Sequence, residues 1–216
     1  MQRYFTGEIV SRLEASKILA VVVIDDPQNA VPVARALLDG GIGVMELAFR
    51  TERSLEALRE IRRGVPEMYV GAGTILRPDQ VEAAQEAGAF FGVSPGLSEA
   101  VVQKALDLKF PFAPGLMTPS EIEKALGFGC RTVKLFPAEA AGGIGYMKAV
   151  WAPYKHLNLR FLPLGGLNIG NAAGYMREPS VLAIGGSWIA PAALIREKRW
   201  EAIRENARAA AALKET

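Results

Sequence analysis

One lysine stands inside an apolar stretch. Arg131–Glu139 reads RTVKLFPAE, with Lys134 near its middle and a break at Pro137. A short run of β-branched and large residues predicts a strand of a parallel sheet, buried on both faces. Alternation puts Thr132, Lys134 and Phe136 on one face and Val133 and Leu135 on the other. Desolvating an ammonium is costly, burial favours the neutral amine, and a neutral amine attacks ketones. The chemistry implied is a Schiff base. The competing reading is a lysine near a strand end whose long stem reaches solvent. A second charged residue interrupts VMELAF, Val44–Phe49: Glu46 shares a face with Ala48 and Arg50, while Met45, Leu47 and Phe49 face helices. A carboxylate in an apolar strand is expensive unless paired or working. It can move protons, or it can fill the interior as an ion pair with Arg50 or Lys134, and the two roles are compatible.

Other stretches could hold a ligand. In GAGT, Ala72 and Thr74 share a face, and Gly71 and Gly73 allow close approach of backbone or ligand. Taken alone this is equally a strand running into a tight turn. Phe136 can wall a small ligand or belong to the core. Gly165-Gly166 and Gly185-Gly186-Ser187 each follow an apolar run. Glycines there let backbone N–H groups approach a phosphate, and Ser187 adds a hydroxyl. The single histidine, His156, lies in the polar YKHLNL stretch, so neither a zinc site nor a histidine-based triad is expected.

The elements that must position these residues alternate regularly. Apolar runs predict strands at Ile18–Ile24, Val44–Phe49, Met68–Thr74, Ala89–Ser94, Phe110–Pro114, the lysine stretch, Arg160–Leu164 and Val181–Gly186. Helices are expected after an amphipathic N-terminal segment and then through Val33–Leu38, Glu52–Arg63, Pro78–Ala87, from Ser98, from Thr118 to Phe128, and at Tyr146–Ala152, Asn171–Arg177 and Arg199–Leu213. Asp25-Asp26-Pro27 and Thr118-Pro119-Ser120-Glu121 read as helix starts, and Thr51 and Ser98 as caps. Eight strand–helix units with short connections predict an α/β fold: a (β/α)8 TIM barrel with an extra N-terminal helix, as one domain over residues 1–216. The loops after the seventh and eighth strands of such a barrel are its usual phosphate site, which is where both glycine groups fall. An open doubly wound sheet is weakened by the absence of GxGxxG after the first strand.

Composition excludes some classes. Of 216 residues, 50% are hydrophobic and 22% charged, with a net charge of +2 and no basic cluster, so a soluble globular protein is expected and nucleic acid is not. No segment approaches a membrane span, and the N-terminus lacks a signal-peptide core. Cys130 is the only cysteine, which suits a reducing cytosol and a cytoplasmic location, and it reads as a packed small hydrophobe.

Seven stretches in order resemble the 2-keto-3-deoxy-6-phosphogluconate (KDPG) aldolases, or KDPG/KHG aldolases: GGIGVMELAFRT (Gly40–Thr51), GAGTIL (Gly71–Leu76), FGVSPGLS (Phe91–Ser98), PGLMTPSE (Pro114–Glu121), TVKLFPAE (Thr132–Glu139), LPLGGLN (Leu162–Asn168) and IGGSWIA (Ile184–Ala190). The resemblance implies a class I aldolase, a homotrimer of (β/α)8 barrels with no metal or cofactor beyond the imine on Lys134. Its substrates would be KDPG, cleaved to pyruvate and glyceraldehyde 3-phosphate, and 4-hydroxy-2-oxoglutarate (KHG), cleaved to pyruvate and glyoxylate. Position by position it implies that Glu46 is the general acid/base and that Arg50 and Thr74 hold the pyruvate carboxylate. Pro95 and Phe136 would line the pocket, and Gly165, Gly166, Gly186 and Ser187 would bind phosphate.

Two positions depart from the family pattern. Leu164 stands where a threonine commonly precedes the Gly-Gly pair, and Val23 stands where some members carry arginine. An apolar side chain cannot discriminate C4 epimers by hydrogen bonding, so relaxed stereochemistry, or a shift towards KHG or the galactonate epimer, is expected. Two other readings compete with a lyase. One is a phosphate-binding barrel isomerase or synthase with Glu46 as base; the other is a non-catalytic phosphosugar-binding barrel.

Overall fold

The apolar runs form parallel strands because each has two buried faces to fill. In the computed structural model, which describes Phe5 and residues 7–215, the strands are β1 (Ile18–Val22), β2 (Val44–Ala48), β3 (Tyr69–Gly73), β4 (Gly92–Val93), β5 (Phe112–Ala113), β6 (Gly115–Leu116), β7 (Thr132–Leu135), β8 (Arg160–Pro163) and β9 (Ile184–Gly186). Six make a curled parallel sheet in the order β5-β4-β3-β2-β1-β9, and three make a second sheet, β6-β7-β8. The expected strand at Phe110–Pro114 is shorter, and the ladder resumes after Pro114, which has no N–H to give. The Pro114 carbonyl still accepts from the Lys134 N–H at 2.9 Å. At the other edge, Phe161 of β8 bridges Val181, just ahead of β9.

The helices are α1 (Glu8–Ser16), α2 (Ala30–Asp39), α3 (Ser54–Gly64), α4 (Pro78–Glu86), α5 (Glu99–Asp107), α6 (Pro119–Gly127), α7 (Gly143–Trp151), α8 (Ala172–Met176), α9 (Ala192–Arg196) and α10 (Trp200–Ala212). Of the N-terminal segment, Met1–Tyr4 and Thr6 lie outside the described residues. Asp26 accepts from the Gln28 N–H ahead of α2, through a 3-10 turn at Pro27–Asn29. Thr118 and Glu121 form a reciprocal capping box on α6. Thr51 does not cap α3: its hydroxyl donates to the Ile24 carbonyl at 2.9 Å, and the helix begins at Ser54. Ser98 makes no side-chain cap bond on α5. The sequence pattern missed α9, and α7 starts three residues before Tyr146.

Alternation sorts the core into two layers. Ala20, Val22, Met45, Leu47, Val70, Ala72, Val133 and Leu135 pack in the layer towards the helices. Leu19, Val44, Tyr69, Phe91, Val93, Ala113 and Leu162 form a separate inner cluster with Phe5, Ile9 and Leu13. Helix α1 therefore turns its apolar stripe onto the inner layer. Its Leu13 is wholly buried, and Phe5 meets Phe91 edge-on at 6.1 Å. The two-residue period of a strand, applied to runs apolar throughout, separates the layers.

Candidate active site

On the inner face of β7, Lys134 is buried, and its Nζ lies 2.9 Å from Glu46 Oε1 and 3.2 Å from Oε2. Their side chains are 5% and 2% exposed, so the lysine does not reach solvent along its stem. Glu46 pairs with Lys134 rather than with Arg50. Room for the carboxylate comes from β3: a Cβ on Gly73 would stand 2.0 Å from Glu46 Oε1. Two charges this deep persist because each offsets the other's desolvation. The pair is also a proton donor and acceptor in contact, so a carboxylate stands ready to take the proton that an attacking amine must lose.

Arg50 follows β2, and its Nε donates to Thr74 Oγ1 at 3.2 Å. Thr74 has φ +57°, rare for a β-branched residue. That left-handed step takes it out of the strand alternation, which would have set it with Ala72 towards the helices, and turns it to Arg50. A cavity of about 200 Å³ lies between these groups, with Lys134, Arg50 and Phe136 on its wall. Lys134 Nζ stands 5.5 Å from the Phe136 ring centroid. The turn after β8 supplies Gly165 and Gly166 to the same wall, and the end of β9 supplies Gly186 with Ser187 just beyond it. Gly165 and Gly166 have φ +91° and +85°, a backbone that side chains rarely adopt. The cavity thus combines a buried amine, a carboxylate behind it, a guanidinium, a glycine turn and the glycine end of a strand.

A family model described as KDPG and KHG aldolase matches residues 9–206. The chain belongs to that family. The 2-dehydro-3-deoxy-phosphogluconate aldolase of Treponema pallidum is 45% identical over 184 residues, covering 85% of this chain and 87% of that one. The KHG/KDPG aldolase of Escherichia coli is 40% identical over 200 residues, with 93% of both chains covered. Among solved structures, the KDPG aldolase of Legionella pneumophila, with pyruvate captured as a covalent carbinolamine, matches with a TM-score of 0.88. It is 36% identical and covers 93% of this chain and 96% of its own.

Within this aldolase-family chain the structure gathers most of the expected site residues. Thr74 does not line the cavity but is tied to it through Arg50. Pro95 does not line it either, and its backbone abuts Gly115 instead, where a Cβ would stand 2.4 Å from the Pro95 carbonyl oxygen. Gly186 contributes backbone only, since its absent side chain makes way for the Trp188 ring, 1.4 Å from where a Cβ would be. Sequence reasoning missed Val21 and Leu167, which with Val23 and Leu164 give the cavity its aliphatic lining. Val21 stands in register with Glu46. The only signal for it was its place in a run where every residue is apolar.

His156 is exposed in a 3-10 turn at Ala152–Leu157. Cys130 is buried in the helix-side layer, and burial pushes its thiol up to about 11. Among the described residues, no group of three or more histidines, cysteines or acids is placed to hold a metal ion, and no helix is long and apolar enough to cross a membrane.

Proposed function

We propose that the protein is a class I aldolase that cleaves KDPG to pyruvate and glyceraldehyde 3-phosphate, and also KHG to pyruvate and glyoxylate. The observation that carries this is the buried Lys134–Glu46 pair at a cavity walled in part by glycines. Lys134 gives a proton to Glu46 and attacks the C2 ketone; Glu46 returns that proton to the carbinolamine hydroxyl, which leaves as water, so that an iminium and a free carboxylate remain. Glu46, directly or through a water, takes the C4 hydroxyl proton. The C3–C4 bond breaks, its electrons pass into the iminium to give an enamine, and the aldehyde departs. Glu46 returns a proton to C3, and hydrolysis frees pyruvate and the amine. Positioned acid–base help is worth roughly 10²–10⁴-fold.

Arg50, with Thr74 fixing its head, suits the pyruvate carboxylate because a planar guanidinium binds two oxygens at once. Phe136 is assigned to the apolar side of pyruvate. Gly165, Gly166, Gly186 and Ser187 are assigned to the phosphate. The two sheets are read as one closed (β/α)8 barrel in a single domain. This is supported by the Pro114 carbonyl at one seam and the Phe161–Val181 bridge at the other, with α1 across the end opposite the cavity. Family resemblance favours a homotrimer, to be measured by light scattering, and the lone cysteine fits a cytoplasmic setting.

The decisive experiment is borohydride reduction in the presence of pyruvate, followed by peptide mass mapping. A stable adduct on Lys134 is expected. A folded protein with Lys134 unmodified would overturn the imine mechanism and return the isomerase and binding-protein readings.

A further inference from the structure

Beside the cavity, and not on its wall, lies a second buried pair. Tyr175 of α8 is wholly buried, and its hydroxyl donates to Glu139 Oε1 at 2.5 Å. Space for the contact is kept by Gly143, where a Cβ would stand 3.3 Å from the same carboxylate oxygen. Glu139 is bound in turn to the glycine turn after β8. Its backbone N–H donates to the Gly165 carbonyl at 3.1 Å, and that of Ala138 donates to the Leu164 carbonyl at 2.8 Å. Gly166 lies against it so closely that a Cβ there would meet Glu139 Cβ at 2.6 Å. From the opposite side, Asn171 Nδ2 donates to the Gly166 carbonyl at 3.3 Å.

Both carbonyls of the turn are therefore held by the protein. Among the described residues, neither the Gly165 nor the Gly166 N–H has a protein acceptor. Successive free backbone N–H groups in a turn make an anion-binding concavity, and its fit to an anion depends on the turn keeping its shape. The Glu139 side chain has one evident means of being held, the buried Tyr175 hydroxyl.

We propose that Glu139 and Tyr175 are positioning residues: their hydrogen bond fixes the Gly165–Gly166 turn so that its N–H groups meet a phosphate ester. This rests on the assignment of that turn to the phosphate of the aldehyde half. Tyr175→Phe removes the hydroxyl with almost no change of volume. Glu139→Gln keeps an oxygen that accepts from Tyr175, and Glu139→Ala leaves a buried hydroxyl without an acceptor.

Two measurements test it, on variants shown by circular dichroism to be folded. The first is titration of inorganic phosphate. The second is steady-state cleavage of KDPG and of KHG, which carries no phosphate. Loss of one net hydrogen bond corresponds to about 3- to 10-fold, so Tyr175→Phe and Glu139→Ala are expected to raise the phosphate Kd and the KDPG KM by that factor. Their kcat stays near the parent's, KHG kinetics are unchanged, and Glu139→Gln behaves as the parent. Equal losses on both substrates would mean a merely structural role and would overturn the proposal, as would phosphate binding unchanged in every variant. If the parent cleaves neither substrate and forms no pyruvate adduct, the aldolase reading fails on its own, and the phosphate titration alone decides the brace.

Discussion

Gly71 and Gly73 stand one pleat apart on the inner face of β3 and do the same steric work for opposite chemistry. A Cβ on Gly71 would stand 2.3 Å from the Phe91 ring, and one on Gly73 would stand 2.0 Å from Glu46 Oε1. At the α1 end of the inner layer, the space freed by a glycine is filled by an aromatic ring among Leu13, Leu19, Val44 and Tyr69. At the cavity end, the same kind of space is filled by a carboxylate bonded to a lysine. One end is stabilised by area removed from water, a non-directional term. The other persists only while two desolvated charges stay paired, so each member is intolerant of losing its partner. The inner layer is one stack with a floor that holds the fold and a mouth arranged for reaction.

The comparison is sharpest at the lysine. Lys134→Met should lower kcat by at least about 10³-fold, since a nucleophile acting as one unit with its base cannot be spared. Because it leaves Glu46 buried and alone, it should also cost roughly 3–5 kcal/mol in a urea titration. Adding Glu46→Leu should restore much of that stability and none of the activity. If the double variant stays as unstable as the single one, the pairing account of the mouth is wrong. Glu46→Gln alone should lose roughly 10²–10⁴-fold in kcat.

At the floor the order reverses. Phe91→Ala should cost about 3–5 kcal/mol of stability while turnover per folded molecule is kept. The two glycines give the cleanest contrast: Gly73→Ala should abolish turnover by displacing Glu46, whereas Gly71→Ala should first lower the melting temperature. A Gly71→Ala protein with normal melting and no activity would break the division into floor and mouth.

Smaller effects lie at the edges of the two regions. Leu164 is buried against Gly185 in the cavity lining and offers no hydroxyl there. The parent should therefore cleave both C4 epimers at comparable rates, and Leu164→Thr should restore a preference. A strong gluconate preference in the parent would sink this reading. Outside both regions, Thr118→Ala should cost about 1 kcal/mol through the lost cap of α6. Burial works against the Glu121 charge in that cap, but hydrogen bonds from the Met117 N–H and from the hydroxyl and N–H of Thr118 outweigh it and hold the carboxyl below its ordinary value. With the folded value depressed, its contribution is present above the ordinary glutamate range and is lost as pH falls through the lower folded value. Urea midpoints of parent and Glu121→Gln should therefore differ at neutral pH and converge in acid.

Much of this was legible before any coordinates. Strand faces followed from alternation, so the grouping of Lys134 with Thr132 and of Glu46 with Ala48 held. The Thr118–Glu121 cap held because it is a bargain struck within four residues. Thr51 and Ser98 failed as caps because any hydroxyl before a helix looks like one, and only the neighbouring Ile24 carbonyl shows where the Thr51 bond goes. Thr74 was set on the wrong face because a left-handed step by a threonine leaves no local mark.

The sequence by itself determined the chemistry that was possible. An amine and a carboxylate sit in strands too apolar to spare them, glycine pairs lie where a parallel barrel gathers its loops, and the faces obey a period of two. Only the tertiary structure decided the partners. Lys134 and Glu46 are 88 residues apart, and which carboxylate meets the lysine depends on strand order and register. The surroundings of each glycine were decided there too: Gly71, Gly73 and Gly186 make way for side chains and Gly166 for Glu139, while Gly165 and Gly166 also keep their N–H groups without a protein acceptor among the described residues. Face and turn propensity are local properties of a chain, but space beside a residue belongs to its neighbours.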